Sequence, residues 1–211
     1  MLSPKIQTHC DRLTSEFDFI SDDRKVLLQK VSEYIQQKID ADLPVQLMYV
    51  CTHNSRRSHF GQIWAAVASN YFNIKNVHAY SAGTEATALH PHAIASLREI
   101  GFVIVQENES DNPMYTVKFG SPMDYVTCFS KTVSDPVNPQ SDFAAIMTCS
   151  DADENCPFIP GVELRVGTTY DDPKAFDGTV LQNEKYIERS LQIARECLFV
   201  FSKLREENYE L

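Results

Sequence analysis

The stretch VQLMYVCTHNSRRSHFGQIWAAV, residues 45 to 67, decides the fold. Its first six residues, VQLMYV, read as a buried strand, and residues 58 to 72, SHFGQIWAAVASNYF, read as a helix. Between them a cysteine ends the strand, followed within seven residues by two adjacent arginines and a serine. Backbone amides of residues 52 to 58 can curl around a tetrahedral oxyanion, and a helix starting near Ser58 directs its N-terminal dipole at the same place. That field favours thiolate over thiol, so Cys51 is expected to be nucleophilic at neutral pH. Arg57 can clamp two oxygens of an anion in a bidentate fork, which lysine could not do. Asn54 suits a tight loop, because asparagine tolerates left-handed backbone and bonds locally. Ser58 can donate to the sulfur, and Thr52, His53, Ser55 and Arg56 complete the expected lining of the anion site. A bare C-x5-R could arise by chance in a chain with six cysteines; the strand before it and the serine and helix after it give it weight.

Outward from this stretch, strand and helix alternate. NVHAYSAG (76–83) reads as a strand closed by a glycine, and HPHAIASLREIG (90–101) as a helix with proline near its start and Gly101 past its end. DFAAIMTCS (142–150) and VELRVGTTY (162–170) read as further strands. Residues 182 to 206 read as a closing helix with Ile187, Leu191, Ala194, Leu198 and Phe201 on one face. Such alternation implies an α/β fold whose parallel sheet is covered on both sides, with ligands at the carboxyl ends of the strands, where the 51–58 loop falls. The pattern breaks between residues 103 and 141, where YTVKF and DYVTCFSKTV alternate like hairpin strands, so a β-type insert is expected at about 106–140. Residues 22 to 40 carry Leu27, Leu28, Val31, Ile35 and Ile39 at helical spacing after Ser21 as N-cap, and a shorter helical stretch precedes them near 4–18. Residues 1–44 are thus expected to form a helical extension docked on a catalytic domain of residues 45–211.

Composition narrows the function. A net charge of −10 argues against broad binding to nucleic acid or anionic membranes, so any positive charge that holds an anion must be local. No apolar run approaches a membrane span, and the polar start MLSPKIQTHCDR lacks the apolar core of a signal peptide, so a cytoplasmic protein is expected. In that reducing compartment Cys10, Cys51, Cys128, Cys149, Cys156 and Cys197 are not a disulfide framework. Cys10, Cys128 and Cys197 have no spacing partner. Cys149 and Cys156 lie seven residues apart in the acidic, loop-like TCSDADENCP, after a strand parallel to the one bearing Cys51. Zinc would want shorter ligand spacing and nearby histidines. Two buried structural thiols and a redox pair both remain open. His90 and His92, around Pro91, fit a helix start, and no metal or cofactor is assigned.

The segments VCTHNSRRS, YSAGTEATALHPHAIASLREIGF and TCSDADENCP with TTYDDP, taken in order, resemble the low-molecular-weight protein tyrosine phosphatase superfamily, and most closely its thioredoxin-coupled arsenate reductases. The resemblance spans about residues 45–211 outside the irregular insert and implies a four-stranded parallel sheet flanked by helices. It implies that Cys51 and Arg57 take arsenate or a phosphate-type oxyanion, that Asp172 of TTYDDP is the general acid, that Cys149 and Cys156 form a disulfide relay, and that thioredoxin is the reductant. The rival within the superfamily is hydrolysis of phosphomonoesters through a phosphocysteine. Those phosphatases usually place an aromatic residue after the aspartate-proline pair, where this chain has Lys174. A noncatalytic oxyanion-binding or redox-sensing module is a third reading, disfavoured by an acid and a nucleophile both being in place. Three departures stand out: His53 and Arg56 replace a glycine and often a cysteine, which is expected to add positive potential at the loop mouth, and Gln62 replaces a glutamate of potassium-binding members.

Overall fold

The computed structural model describes residues 1 to 155 and 158 to 205. Cys156 lies outside the described residues. Four strands, β1 (Val45–Cys51), β2 (Val77–Gly83), β6 (Phe143–Met147) and β7 (Val162–Gly167), form a parallel sheet in the order β2-β1-β6-β7. β1 is central because nearly all of it is buried, with Leu47, Met48 and Val50 fully enclosed. Its register sets Cys51 beside Gly83 of β2 and Val50 beside Met147 of β6, so three strand ends converge at the cysteine.

Helices α3 (Arg57–Tyr71), α4 (Pro91–Ile100) and α6 (Gln182–Ser202) share one continuous apolar core with the β1 side chains Val45, Leu47 and Tyr49. Trp64 of α3 is fully buried there, edge-on to Phe102 at 5.2 Å, with its indole N–H donating to Ser190 Oγ at 2.9 Å. Gly61 lets α3 lie against the sheet, because a Cβ there would stand 2.2 Å from the Tyr49 ring. A second apolar cluster contains Met48, Val50, Cys51, Met147, Cys149 and Ala152.

The break in alternation is a separate antiparallel sheet, β3 (Val103–Gln106), β4 (Tyr115–Lys118) and β5 (Tyr125–Cys128), in that order. The N-terminal stretch forms α1 (Pro4–Thr14), a 3₁₀ turn at Phe17–Phe19 and α2 (Asp22–Asp40), with Ser21 Oγ accepting from the Arg24 amide as N-cap. Their apolar faces, including Ile6, Leu13, Leu28, Val31 and Ile35, enter the same core as α3 and α6. The expected single stretch near 4–18 stops at Thr14 because Ser15 closes the helix with its amide and hydroxyl on Arg12 O.

One local expectation is corrected. The acidic run after Cys149 is a short helix, α5 (Ser150–Asn155), rather than a loop. Asp151 and Asp153 fall in its first turn, where carboxylates complement the helix dipole.

Candidate active site

The loop between β1 and α3 is held from several sides. Asn54 is left-handed, φ 43°, and fully buried. Its side-chain amide donates to Ser58 Oγ at 2.8 Å, and its carbonyl-type Oδ1 accepts from the Lys131 amide at 2.8 Å. His59, also buried, spans Asn54 O at 2.9 Å and Ser81 Oγ at 3.1 Å. A carbonyl can only accept, so Nε2 carries the proton and Nδ1 receives the Ser81 hydroxyl. Burial, reinforced by the Lys131 ammonium, pushes His59 down to about 3 and keeps it neutral. Gly83 allows the loop to cross the end of β2: a Cβ would be 2.7 Å from both Asn54 N and Thr52 O.

This scaffold leaves donors free. Among the described residues, the backbone amides of residues 52 to 56 have no protein acceptor. Arg57 Nε is buried without a partner among the described residues. A buried donor without an acceptor is costly, and Arg57 Nε together with the unbonded amides of this loop suits an acceptor-rich anion. Cys51 Sγ, 4 % exposed, sits at the start of that loop 3.1 Å from Ser58 Oγ. Because Ser58 Oγ already accepts from Asn54, its own proton is available to the sulfur.

Arg57 is the first residue of α3 and reaches across to the β7 side. One Nη donates to Tyr170 O at 2.7 Å and the other to Asp172 Oδ2 at 2.8 Å. Asp172 also caps the 3₁₀ turn Pro173–Phe176, accepting from the Lys174 amide at 3.0 Å. The Arg57 guanidinium thus carries a carboxyl with it.

Cys149 follows β6 and is 2 % exposed. Its Sγ lies 3.4 Å from Thr52 Oγ1, the side chain next to Cys51, and 3.4 Å from the Ala152 amide at the start of α5. Thr52 Oγ1 also donates to Asp151 at 2.7 Å. Ser55, expected at the anion, has its hydroxyl on Ala88 O at 2.7 Å, and exposed His53 pairs with Glu85 at 3.8 Å. The remaining described thiols differ: burial pushes Cys10, Cys128 and Cys197 each up to about 12.

Arg56 departs from its expected place. Its Nε donates to Tyr186 OH at 2.9 Å and its Nη2 approaches Asp177 at 3.8 Å, so its charge is paired beneath α6 rather than added to the loop mouth. His90, His92 and Asp177 gather there with ligand-capable atoms within 4.8 Å. The guanidinium repels a cation, and Asp177 Oδ1 already accepts from Tyr186 OH at 2.8 Å, so this is a hydrogen-bonded knot. Gln62 is likewise occupied, donating to Thr127 O at 3.1 Å, and the buried Lys131 ammonium stands against Ser81.

Residues that carry the site without a local sequence signal are Gly83, Tyr170, Ser130 and Lys131. Ser130 Oγ donates to His53 O at 3.0 Å and accepts from the Thr87 amide. All four act across distant segments.

A thiol at the end of a central parallel strand, in an anion-cradling loop with an arginine–aspartate pair, defines a protein of the low-molecular-weight phosphatase fold. No family model matches the chain. A solved low molecular weight phosphotyrosine phosphatase from Vibrio cholerae O395 is similar in fold, with TM-score 0.51, 15% identity, and coverage of 75% of this chain and 95% of that one. An arsenate reductase in a phosphate-binding state gives TM-score 0.50 at 20% identity, covering 76% and 99%. In sequence, the arsenate reductase of Bacillus licheniformis is 28% identical over 144 residues, 68% of this chain and 84% of that protein. Arsenate reductase 2 of Staphylococcus saprophyticus is 28% identical over 128 residues, 60% and 77% respectively. The chain is thus similar in fold to the low-molecular-weight phosphatases and in sequence to arsenate reductases.

Proposed function

We propose that the protein reduces arsenate by a thiol relay. The observation that carries this reading is Cys149 Sγ lying 3.4 Å from Thr52 Oγ1, a second thiol at the lip of the loop that holds the first. Hydrolysis through a phosphocysteine has no use for it.

Arsenate enters the free amides of residues 52 to 56, with Arg57 clamping two oxygens. Cys51 thiolate attacks arsenic, and Asp172 gives its proton to the departing oxygen, which leaves as water. Cys149 then attacks Cys51 Sγ; the sulfur–arsenic electron pair returns to arsenic, arsenite departs, and a Cys51–Cys149 disulfide remains. Cys156 attacks Cys149, frees Cys51 as thiolate and leaves a Cys149–Cys156 disulfide for a dithiol reductant of the thioredoxin type. Cys149 lies at the entrance to α5, so this step requires the α5 segment to rearrange. Among the described residues no helix is long and apolar enough to cross a membrane, and the reading needs none.

The test compares arsenate-dependent thioredoxin oxidation with aryl-phosphate hydrolysis, for wild type and Cys149→Ser. Loss of arsenate turnover with hydrolysis retained supports the relay. Wild-type hydrolysis without arsenate turnover, untouched by the substitution, gives the phosphatase reading instead.

A further inference from the structure

The segment 168–172 carries Asp172, and two arginines from distant parts of the chain grip it. Arg57 holds Tyr170 O and the Asp172 carboxylate. The other is Arg24, in the first turn of α2 and outside the stretch that resembles the superfamily. Its Nη2 donates to Thr168 O at 2.9 Å, and its guanidinium lies over the Tyr170 ring at 4.6 Å. Its Nε donates to Glu196 Oε2 at 2.8 Å, and that same oxygen accepts from Tyr170 OH at 2.7 Å. Glu196, on α6, is 4 % exposed, and Tyr170 is 7 % exposed. Tyr170 is therefore fixed by its ring, hydroxyl and carbonyl, and its amide donates to Thr148 O at 3.1 Å beside Cys149.

A buried ion pair with satisfied hydrogen bonds is weak evidence for stability, since apolar side chains of similar volume often serve as well. What it does supply is fixed direction. A planar guanidinium that stacks on one ring, bonds one carbonyl and pairs with one carboxylate admits a single arrangement of the three, which lysine cannot reproduce. Misplacing a reacting group by about 1 Å costs about 100-fold in rate.

We propose that Arg24 is a positioning residue for the general acid: the N-terminal extension, through Arg24, Glu196 and Tyr170, holds the 168–172 segment so that Asp172 meets the departing oxygen. The proposal rests on the reading of Asp172 as the acid. It gives α2 a part in turnover without contact with substrate.

The test uses full-length Arg24→Ala and Arg24→Lys. The first measurement is hydrogen exchange at the Tyr170 amide, with β1 and β6 amides as internal reference. Exchange there should rise about tenfold in Arg24→Ala while the reference amides hold, and Arg24→Lys should recover only part. The second measurement is hydrolysis of phenyl phosphate, whose leaving group needs a proton, against 2,4-dinitrophenyl phosphate, whose leaving group does not. Arg24→Ala should lower kcat/KM about tenfold or more for the first and leave it nearly unchanged for the second, since only this ratio reports the step in which the leaving group departs. Equal losses on both esters, full rescue by lysine, or exchange rising uniformly across the sheet overturns the proposal. If wild type turns over neither ester nor arsenate, the enzymatic reading fails separately, and the exchange measurement still decides whether Arg24 holds the segment.

Discussion

His59 shows how a residue without chemistry of its own can govern the loop. It is neutral because it is buried, down to about 3 in the folded protein against 6.5 for an ordinary imidazole. The unfolded chain therefore takes up a proton at this histidine below about pH 6.5 that the folded chain refuses until about 3. Its stabilising contribution is complete above pH 6.5 and is lost as the pH falls through that window, by about 1.4 kcal/mol per pH unit. Denaturant unfolding at pH 7 and pH 5 should show a steeper loss in wild type than in His59→Gln, whatever the variant's stability at pH 7. Arg56 makes a prediction opposite to the one its sequence suggests. With its guanidinium on Tyr186 and Asp177, Arg56→Ala should cost about 1–3 kcal/mol of stability by removing the hydrogen bond to Tyr186 and the counter-charge of Asp177, while KM for arsenate stays within about twofold. A clear rise in KM at unchanged stability would return Arg56 to the anion site. Spacing from Cys51 singles out Arg57 in the sequence, but the place of Arg56's charge follows only from the direction in which its side chain leaves the start of α3.

At the scale of elements, β1, its loop and α3 were legible because the motif is local: apolar run, turn residues, helix, all within 23 residues of chain. Asn54 was legible for the same reason, its left-handed backbone being a property of the residue. What was not legible lies across the sheet. Gly83 reads as the end of a strand, yet its lack of a side chain is what lets Thr52 and Asn54 pass. Gly83→Ala should therefore reduce turnover far more than an ordinary strand-end substitution, about 100-fold, through displacement of loop amides. Steady-state kinetics beside a circular dichroism spectrum would separate this from misfolding. The helical character of α5 was hidden by its acidic composition, which suits a first turn as well as a loop.

At the scale of the molecule, the sequence suggested a boundary near residue 44, but the core crosses it. Ile6, Leu13, Leu28, Val31 and Ile35 are each at most 3 % exposed and lie in the same cluster as α3 and α6. Each contributes about 2 kcal/mol on burial. Together they rival the whole stability of an ordinary domain, about 5–15 kcal/mol. A chain beginning at residue 45 should thus fail to unfold cooperatively, checked by a thermal melt followed in the near ultraviolet. Patterning shows that a helix has an apolar face but not which surface receives it, and so a docked extension and a shared core look alike in sequence.

The antiparallel sheet has a consequence for anyone seeking a minimal version of this protein. Its outgoing chain delivers Ser130 to His53 O, the Lys131 amide to Asn54 and Lys131 O to the Gly83 amide. Excising residues 106–140 as dispensable decoration would leave the cysteine and arginine in the chain and unlace the cradle between them. Miniaturisation should proceed from the distal ends of β4 and β5, around residues 119 to 124, where a shorter hairpin could close the sheet without reaching the stitches.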